Sequence, residues 1–307
     1  MKILTVKRVR GFTLVEAIVV MVLTGILAGI MVLFIRNPVN SYVDTAARAE
    51  LTDVADIALR RMTREIRTAV PNSIRLNIVG NTSFLEFIPS HAGGRYLAKE
   101  DGAAPVSPPG AQQHQWLDFT NAATQFEVVG PMPPAPYAIV RGDFIIISNF
   151  GTGFTNGDAY ALNANNRAVV GQVNNKVITL TNNPFASVTP PASNRFIVAG
   201  QPVTFACTND PVTGRGQLRR FSNYDFPPNQ VDPGTLNLLG QSTPQQVQMT
   251  LMADNVVGCN FSVVAMANRQ AALVGLGIAL ARAKPGAAAN DLETVTLAQQ
   301  IHVDNTP

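Results

Sequence analysis

Charge is scarce in this chain. Asp, Glu, Lys and Arg make up 14% of its 307 residues, against about 25% in an ordinary globular domain. There are only two cysteines, which excludes a disulfide-dense scaffold, and no CxxC spacing offers zinc or redox chemistry. Aromatic residues are 7% of the total and no basic run interleaves with them, so no nucleic-acid partner is expected. His91, His114 and His302 lie far apart without HExxH spacing, so neither a metal site nor a cofactor is expected. A Gly-x-Ser-x-Gly elbow and a Gly-Lys-Ser/Thr phosphate loop are both missing, and no enzyme activity is expected. Disorder is excluded from the other side, because 46% of the residues are hydrophobic and the net charge is only +3.

What is present is concentrated at the start. Lys2, Lys7, Arg8 and Arg10 precede Gly11 with no acid among them. Residues 12–35 are then apolar apart from Glu16 and Thr13, Thr24 and the small residues. The stretch after Glu16 reaches the roughly 18 residues that mark a membrane-spanning helix. It is longer than the roughly 7–15 residues of a secretory signal core, and it ends in Arg36-Asn37-Pro38 rather than at a small-residue cleavage site. The basic flank predicts a cytoplasmic N-terminus, with the bulk of the chain across the membrane. Glu16 stands out, since a carboxylate in an apolar span is costly and needs a partner or a route to the interface.

The segment Lys7-Arg8-Val9-Arg10-Gly11-Phe12-Thr13-Leu14-Val15-Glu16 resembles the class III signal of the type IV pilin and pseudopilin superfamily. The resemblance implies that a prepilin peptidase cuts between Gly11 and Phe12 and that Phe12 becomes N-methylated. Glycine at the cut leaves the backbone open to a protease. Glu16 is then expected to pair, in a filament, with the Phe12 amine of a neighbouring subunit; the alternative is that it snorkels to the membrane surface. The implied partners are the prepilin peptidase, other pilin or pseudopilin subunits, inner-membrane assembly proteins and the inner membrane. Residues 59–75 resemble the stem end of large minor pseudopilins. Residues 205–207, 258–262 and 300–307 resemble biogenesis subunits of the MSHA pilus.

Four regions are expected: a removed leader (1–11), a transmembrane helix (12–35), an amphipathic stem helix (36–70) and a periplasmic head (71–307). In the stem, Val43, Ala47, Leu51 or Val54, Ala58, Met62 and Ile66 recur at helical steps. Pro38 is expected to kink or interrupt the helix, Gly25 and Gly29 to weaken its spanning half, and Pro71 to end it. A continuous helix from Phe12 to Ala69 would measure about 87 Å. Acids dominate early in the stem and Arg60, Arg61, Arg64 and Arg67 late, which suits either the helix dipole or staggered packing between stems. Asp56 and Arg60 stand at i,i+4 in the favourable order.

In the head, strand-like runs fall at 84–88, 126–129, 138–148, 177–181, 195–205, 217–221, 259–266, 272–280 and 294–303, separated by Pro/Gly/Asn-rich breakers such as 104–110. A short helix is expected around 245–252 after Thr243-Pro244. The fold class is therefore α+β: a long N-terminal helix packed on a β-rich, antiparallel, pilin-like head. Placed in an oxidising periplasm, Cys207 and Cys259 are expected to form a disulfide rather than remain two buried thiols. The loop 149–158 offers oxygens for calcium, but one carboxylate makes a plain loop the better reading. Tyr96 and Trp116 are either core residues or caps on a binding surface. The expected role is a minor pilin of type IV, MSHA-like, pilus biogenesis, in a tip or priming complex. A pseudopilin of type II secretion and a membrane-tethered periplasmic binding protein or enzyme are the alternatives. Removing the leader leaves 19 basic against 20 acidic side chains, so the apparent basicity is an orientation signal.

Overall fold

The computed structural model describes residues 11–99, 115–120, 122–236, 247–265, 271–284 and 291–306. The leader's basic residues, the breaker at 104–110, His114 and Thr243-Pro244 lie outside these. The chain divides into two compact units, Met1–Glu50 and Leu51–Pro307.

The first element is one helix, α1 (Leu14–Ile66), of 53 residues, about 80 Å long at 1.5 Å per residue. It runs without a break through Gly25, Gly29 and Pro38, so the expected interruption at Pro38 does not occur. Proline removes one amide donor, but the bonds of the turns on either side remain, and a long helix carries the loss. The exit is tightened by three-residue bonds, from Thr68 N–H to the Glu65 carbonyl and from Ala69 N–H to that of Ile66, both 3.0 Å. The helix thus ends at Ile66, short of the expected Ala69, and Pro71 lies five residues beyond it, after Val70 has already turned its N–H to the Ile88 carbonyl.

The described strands of the second unit are, in chain order, β1 (Arg75–Val79), β2 (Thr82–Phe87), β3 (Ser90–Tyr96), β4 (Gln125–Val129), β5 (Phe144–Ile146), β6 (Arg167–Asn174) and β7 (Val177–Leu180). They continue with β8 (Arg195–Ala199), β9 (Val203–Thr208), β10 (Gly216–Ser222), β11 (Gln248–Ala265), β12 (Ala271–Ala283) and β13 (Leu292–Asp304). One helical turn, α2 (Pro233–Leu236), lies between β10 and β11.

These strands build two layers of different kind. A seven-stranded antiparallel sheet has the order β1-β2-β9-β10-β11-β12-β13. The remaining strands close a barrel, β3-β4-β7-β6-β5-β8. The sheet is a simple meander into which the whole barrel is inserted between β2 and β9, which pair directly, Leu85 opposite Phe205. On β12, Val274, Leu276, Ile278 and Leu280 are buried and alternate with Gly275, Gly277 and Ala279. That period of two gives the sheet one apolar face. The face is sealed by Leu51, Ala55, Ala58, Leu59, Met62 and Ile66 of α1, which share a core with Phe87, Phe205, Leu218, Val274 and Ile301. The barrel fills itself with Phe126, Val128, Ile145, Val170, Ile178, Phe185, Phe196 and Val198. A third cluster, Val70, Ile88, Ile146, Tyr160, Ala199 and Phe226, joins the two layers.

Three sequence expectations are corrected by this topology. The run 195–205 is two strands, β8 in the barrel and β9 in the sheet, parted at Gly200-Gln201-Pro202. The expected helix around 245–252 is strand from Gln248 onward, because Met249, Thr250 and Leu251 pair with Phe221, Arg220 and Arg219 of β10, and such pairing overrides a weak helix preference. The run 138–148 shortens to the three residues of β5. Strands β1, β3 and β6 were not expected; β3 reads Ser-His-Ala-Gly-Gly-Arg-Tyr and carries little strand composition.

Candidate membrane and assembly site

Gly11, Phe12 and Thr13 lie outside the helix, and α1 begins at Leu14. Thr13 is the N-cap: its Oγ1 accepts the Glu16 N–H at 3.3 Å, and its carbonyl accepts the Ala17 N–H at 3.2 Å. Threonine at the cap with glutamate three residues on is the capping-box spacing. The sequence displays this as Thr13-x-x-Glu16, a signal that the processing motif overshadowed. Two consequences follow. The Gly11–Phe12 bond stands on non-helical backbone, immediately before a fixed helix start, with Phe12 78% exposed. The Glu16 carboxylate stands in the first turn, where the helix dipole favours negative charge. Among the described residues, no side chain pairs with it.

From Leu14 to Val32 the helix has a mean hydropathy of 2.5 and none of its side chains is buried. Every large apolar residue there, from Leu14 through Ile18, Leu23 and Leu27 to Met31, is about half exposed or more. A helix apolar on all sides matches a lipid medium rather than a protein surface. Its one internal hydroxyl is satisfied locally: Thr24 Oγ1 donates to the Val20 carbonyl at 2.7 Å. A spanning helix requires such internal satisfaction. One helix is thus long and apolar enough for single-pass anchoring.

Cys207 and Cys259 are joined by a disulfide, as expected. It links β9 to β11, strands that β10 separates in the sheet. Cys207 is fully buried in the core under α1. Beside it β10 begins at Gly216, where an added Cβ would lie 2.2 Å from the Val256 carbonyl oxygen and 2.3 Å from that of Thr208. Only glycine fits this pinch between β9 and β11.

Buried charge elsewhere in the head serves packing. Glu86, 1% exposed, receives Arg75 Nε at 2.5 Å and the Tyr224 hydroxyl at 3.0 Å. Burial pushes its carboxyl up, and Arg75 pulls it part of the way back. Arg75 also donates to the carbonyls of Pro227 and Pro228 and lies 3.7 Å over the Tyr160 ring. Arg167 lies 3.8 Å over Phe226, and burial lowers its guanidinium to about 10. In the loop 149–158, Asp158 uses one oxygen for the Gly153 N–H and the other for the Tyr160 N–H, each at 2.8 Å. His91 faces Asp143 at 3.3 Å. Among the described residues, no group of three His, Cys, Asp or Glu could hold a metal.

A family model described as "Prokaryotic N-terminal methylation motif" matches residues 6–32, the stretch that contains Gly11, Phe12, Glu16 and most of the apolar span. The match supports the pilin and pseudopilin class. No curated protein and no solved structure matches the chain.

Proposed function

We propose that this chain is a minor pilin or pseudopilin, held in the inner membrane by α1 and matured by prepilin peptidase between Gly11 and Phe12. The observation that carries this reading is the capped helix start: a non-helical cleavage site, a Thr13 cap and Glu16 followed by an all-apolar span, within the matched methylation motif. Cutting there creates a cationic, N-methylated Phe12 amine at the edge of the span. In a filament that amine neutralises Glu16 of an adjacent subunit, since a carboxylate in an apolar core is tolerated only when paired.

The N-terminus faces the cytoplasm and the head the periplasm, where the Cys207–Cys259 bond persists. The particular role is that of the MSHA pilus biogenesis pseudopilin MshO, which residues 205–207, 258–262 and 300–307 resemble. A head made of a sheet plus an inserted barrel crowds a repetitive shaft, which favours a sparse position in a tip or priming complex.

Mass spectrometry of the membrane-extracted protein tests the reading. A mature chain beginning at methylated Phe12 is expected, and Gly11→Asp should leave the leader attached. Glu16→Ala should be processed normally yet be missing from sheared fibres. Wild-type incorporation of that variant removes the assembly role of Glu16. Co-purification with a secretion pseudopilus instead of a pilus replaces the MSHA role with the type II one.

A further inference from the structure

Two strand arginines of the sheet stand directly opposite a glutamate. Arg75 on β1 faces Glu86 on β2, and Arg282 on β12 faces Glu293 on β13, each in register and joined as an ion pair. The barrel breaks that pattern. Arg95 on β3 is in register with Arg195 on β8, so two cations stand where the sheet twice sets a cation against an anion. Residues directly opposite in an antiparallel pair have Cβ atoms about 4.5–5.5 Å apart, and like charges there are unfavourable.

Both arginines are exposed and alternate with the inward-facing Tyr96 and Phe196, so both side chains leave the outer face of the barrel. Among the described residues, neither side chain has a hydrogen bond, an ion pair or a ring partner. On its other flank Arg95 is in register with Val129. The acid on that strand, Glu127, lies one step diagonal to Arg95 and opposite Val177. Lys176, whose carbonyl accepts the Val128 N–H at 2.8 Å, adds a third cation at the same edge. Tyr96 and Trp116 line a small cavity beside the pair, and its one carboxylate, Asp118, is spent on the Thr120 N–H and hydroxyl. The register of the two arginines is pinned just beyond them, where Tyr96 N–H donates to the Asn194 carbonyl at 2.9 Å. On the outer face the next residue along β3 is Gly93, opposite Ile197, which leaves bare backbone beside Arg95.

Two guanidinium forks held side by side over a low floor make an oxyanion clamp, since arginine meets carboxylates and phosphates through parallel N–H donors. Charge selects among the oxyanions. A carboxylate, a sulfate ester or a phosphate diester carries one negative charge and leaves the pair half neutralised. A phosphate monoester carries about −1.5 to −2 at pH 7 on three strong acceptor oxygens, which matches two arginines.

We propose that Arg95 and Arg195 form a binding site for a phosphate monoester group. The site is independent of the membrane and processing reading, since neither residue belongs to α1.

Calorimetric titration of the full-length protein in detergent and phosphate-free buffer tests it, with glycerol 3-phosphate as the probe. Methyl sulfate, acetate and dimethyl phosphate are the singly charged comparators. Saturable binding of glycerol 3-phosphate is expected at about pH 7.5, roughly tenfold tighter than that of any comparator. It should weaken up to about tenfold at about pH 5, because the monoester takes up its second proton near pH 6. Methyl sulfate does not titrate there, so an equal weakening of its binding would point to Glu127 or Lys176 instead and overturn the assignment. Arg95→Gln should lower the affinity roughly tenfold. Arg195→Glu sets an acid opposite Arg95, as at Arg75 and Glu86, and should abolish binding while raising the head's thermal midpoint. A structural role for Arg195 would lower that midpoint. The protein in phosphatidylcholine nanodiscs is also mixed with phosphatidylcholine vesicles with or without phosphatidic acid. Flotation with phosphatidic acid alone places the monoester on a lipid; binding of glycerol 3-phosphate without flotation places it on a soluble molecule, and either upholds the site. The proposal is overturned by no saturable binding of glycerol 3-phosphate, by a comparator that binds as tightly, or by folded variants that bind as well as the parent. Tighter binding of an oligonucleotide lacking a terminal phosphate would overturn it as well.

Discussion

Along α1, the stretch Leu14–Val32 buries no side chain, whereas between Leu51 and Ile66 the residues Ala55, Leu59, Met62 and Ile66 are completely buried. The two stretches are turns of one continuous helix and differ in where their apolar residues sit. In the first they surround the axis, so no single protein face could cover them and the matching solvent is lipid. In the second they fall on one stripe, with Ile57 (68% exposed) the exception, and the opposite side carries Asp53, Arg60 and Arg64. The stripe calls for a partner surface, and the β9–β13 face of the sheet supplies it. Hydrophobicity alone thus says little about a helix; its angular distribution decides between a membrane and a protein core.

The largest expected effect breaks this comparison most directly. Met62→Asp places a carboxylate in the buried apolar cluster that holds Leu59, Phe205 and Leu276. The cost exceeds about 4 kcal/mol, a large share of a domain's ordinary stability, and near-UV circular dichroism should show the head unfolded. Leu27→Asp, the same change in the apolar span, should leave the head's thermal transition unmoved. It should instead deplete the protein from the membrane fraction, since a central Asp costs about 2.5–3.5 kcal/mol on insertion. Unfolding of the head by Leu27→Asp would show that the two stretches are not separate in function.

Next comes the covalent tie in the sealed half. The bond closes a separation of 52 residues, which the chain-entropy model values at about 4 kcal/mol. Double replacement of Cys207 and Cys259 by serine should lower the urea midpoint accordingly and leave membrane extraction unchanged. A smaller effect distinguishes ion pairs on the same helix. Glu65 receives Arg61 at 3.0 Å and, from β10, Arg220 at 2.8 Å, while Asp56 receives the exposed Arg60 at 2.6 Å. A double-mutant cycle on Glu65–Arg220 should give about 1 kcal/mol, because the pair is half-buried and ties helix to sheet. Asp56–Arg60 should give no more than about 0.5 kcal/mol.

Legibility followed the range of the interactions. The spanning half and the processing motif are local, and both were readable, as was the i,i+4 pair at Asp56–Arg60. The stripe was readable only in part: Val43 is 43% exposed, and Ala55 and Leu59, which complete the buried face, were not singled out. Whether a helical stripe seals depends on where its partner sheet ends, which no local pattern states. The same limit governs β8 and β9. Residues 195–205 form one strand-like run, but their division between barrel and sheet is set by pairing with Gly93, Gly94 and Phe144 on one side and with Leu85 on the other. Tyr96 and Trp116 were each visible as single aromatics; only the closure of the barrel brings them together. Thr13-x-x-Glu16 was fully local and could have been read as a cap.

The smallest effect asks how dry the head's interior is compared with the medium that the span demands. Burial raises the Glu86 carboxyl above the ordinary carboxylate value, against the pull of Arg75 and Tyr224. The folded state then holds this proton more tightly than the unfolded chain. Its contribution to stability is therefore full below the unfolded value, near 4.3, and is lost as pH rises through the raised folded value. Asp210 and Asp304 are shifted the other way by hydrogen bonds from Thr213 and Thr306. Their contribution is present above the unfolded value, near 3.9, and is lost as pH falls through the lowered one. The two windows do not overlap, so urea midpoints measured between about pH 4.5 and 8 separate Glu86 from these two aspartates and stay below the range of Arg167, which is lowered to about 10. A downward slope with rising pH is expected in the parent and should flatten in Glu86→Gln, whose single amide oxygen can still accept from Arg75, whose NH2 can face the Tyr224 hydroxyl as donor, and which has no proton to lose. An unchanged slope in the variant would mean that Arg75, 12% exposed, and the water reaching it hold the carboxylate charged throughout. The sealed half of the molecule would then be wetter at this point than the packing around Glu86 indicates.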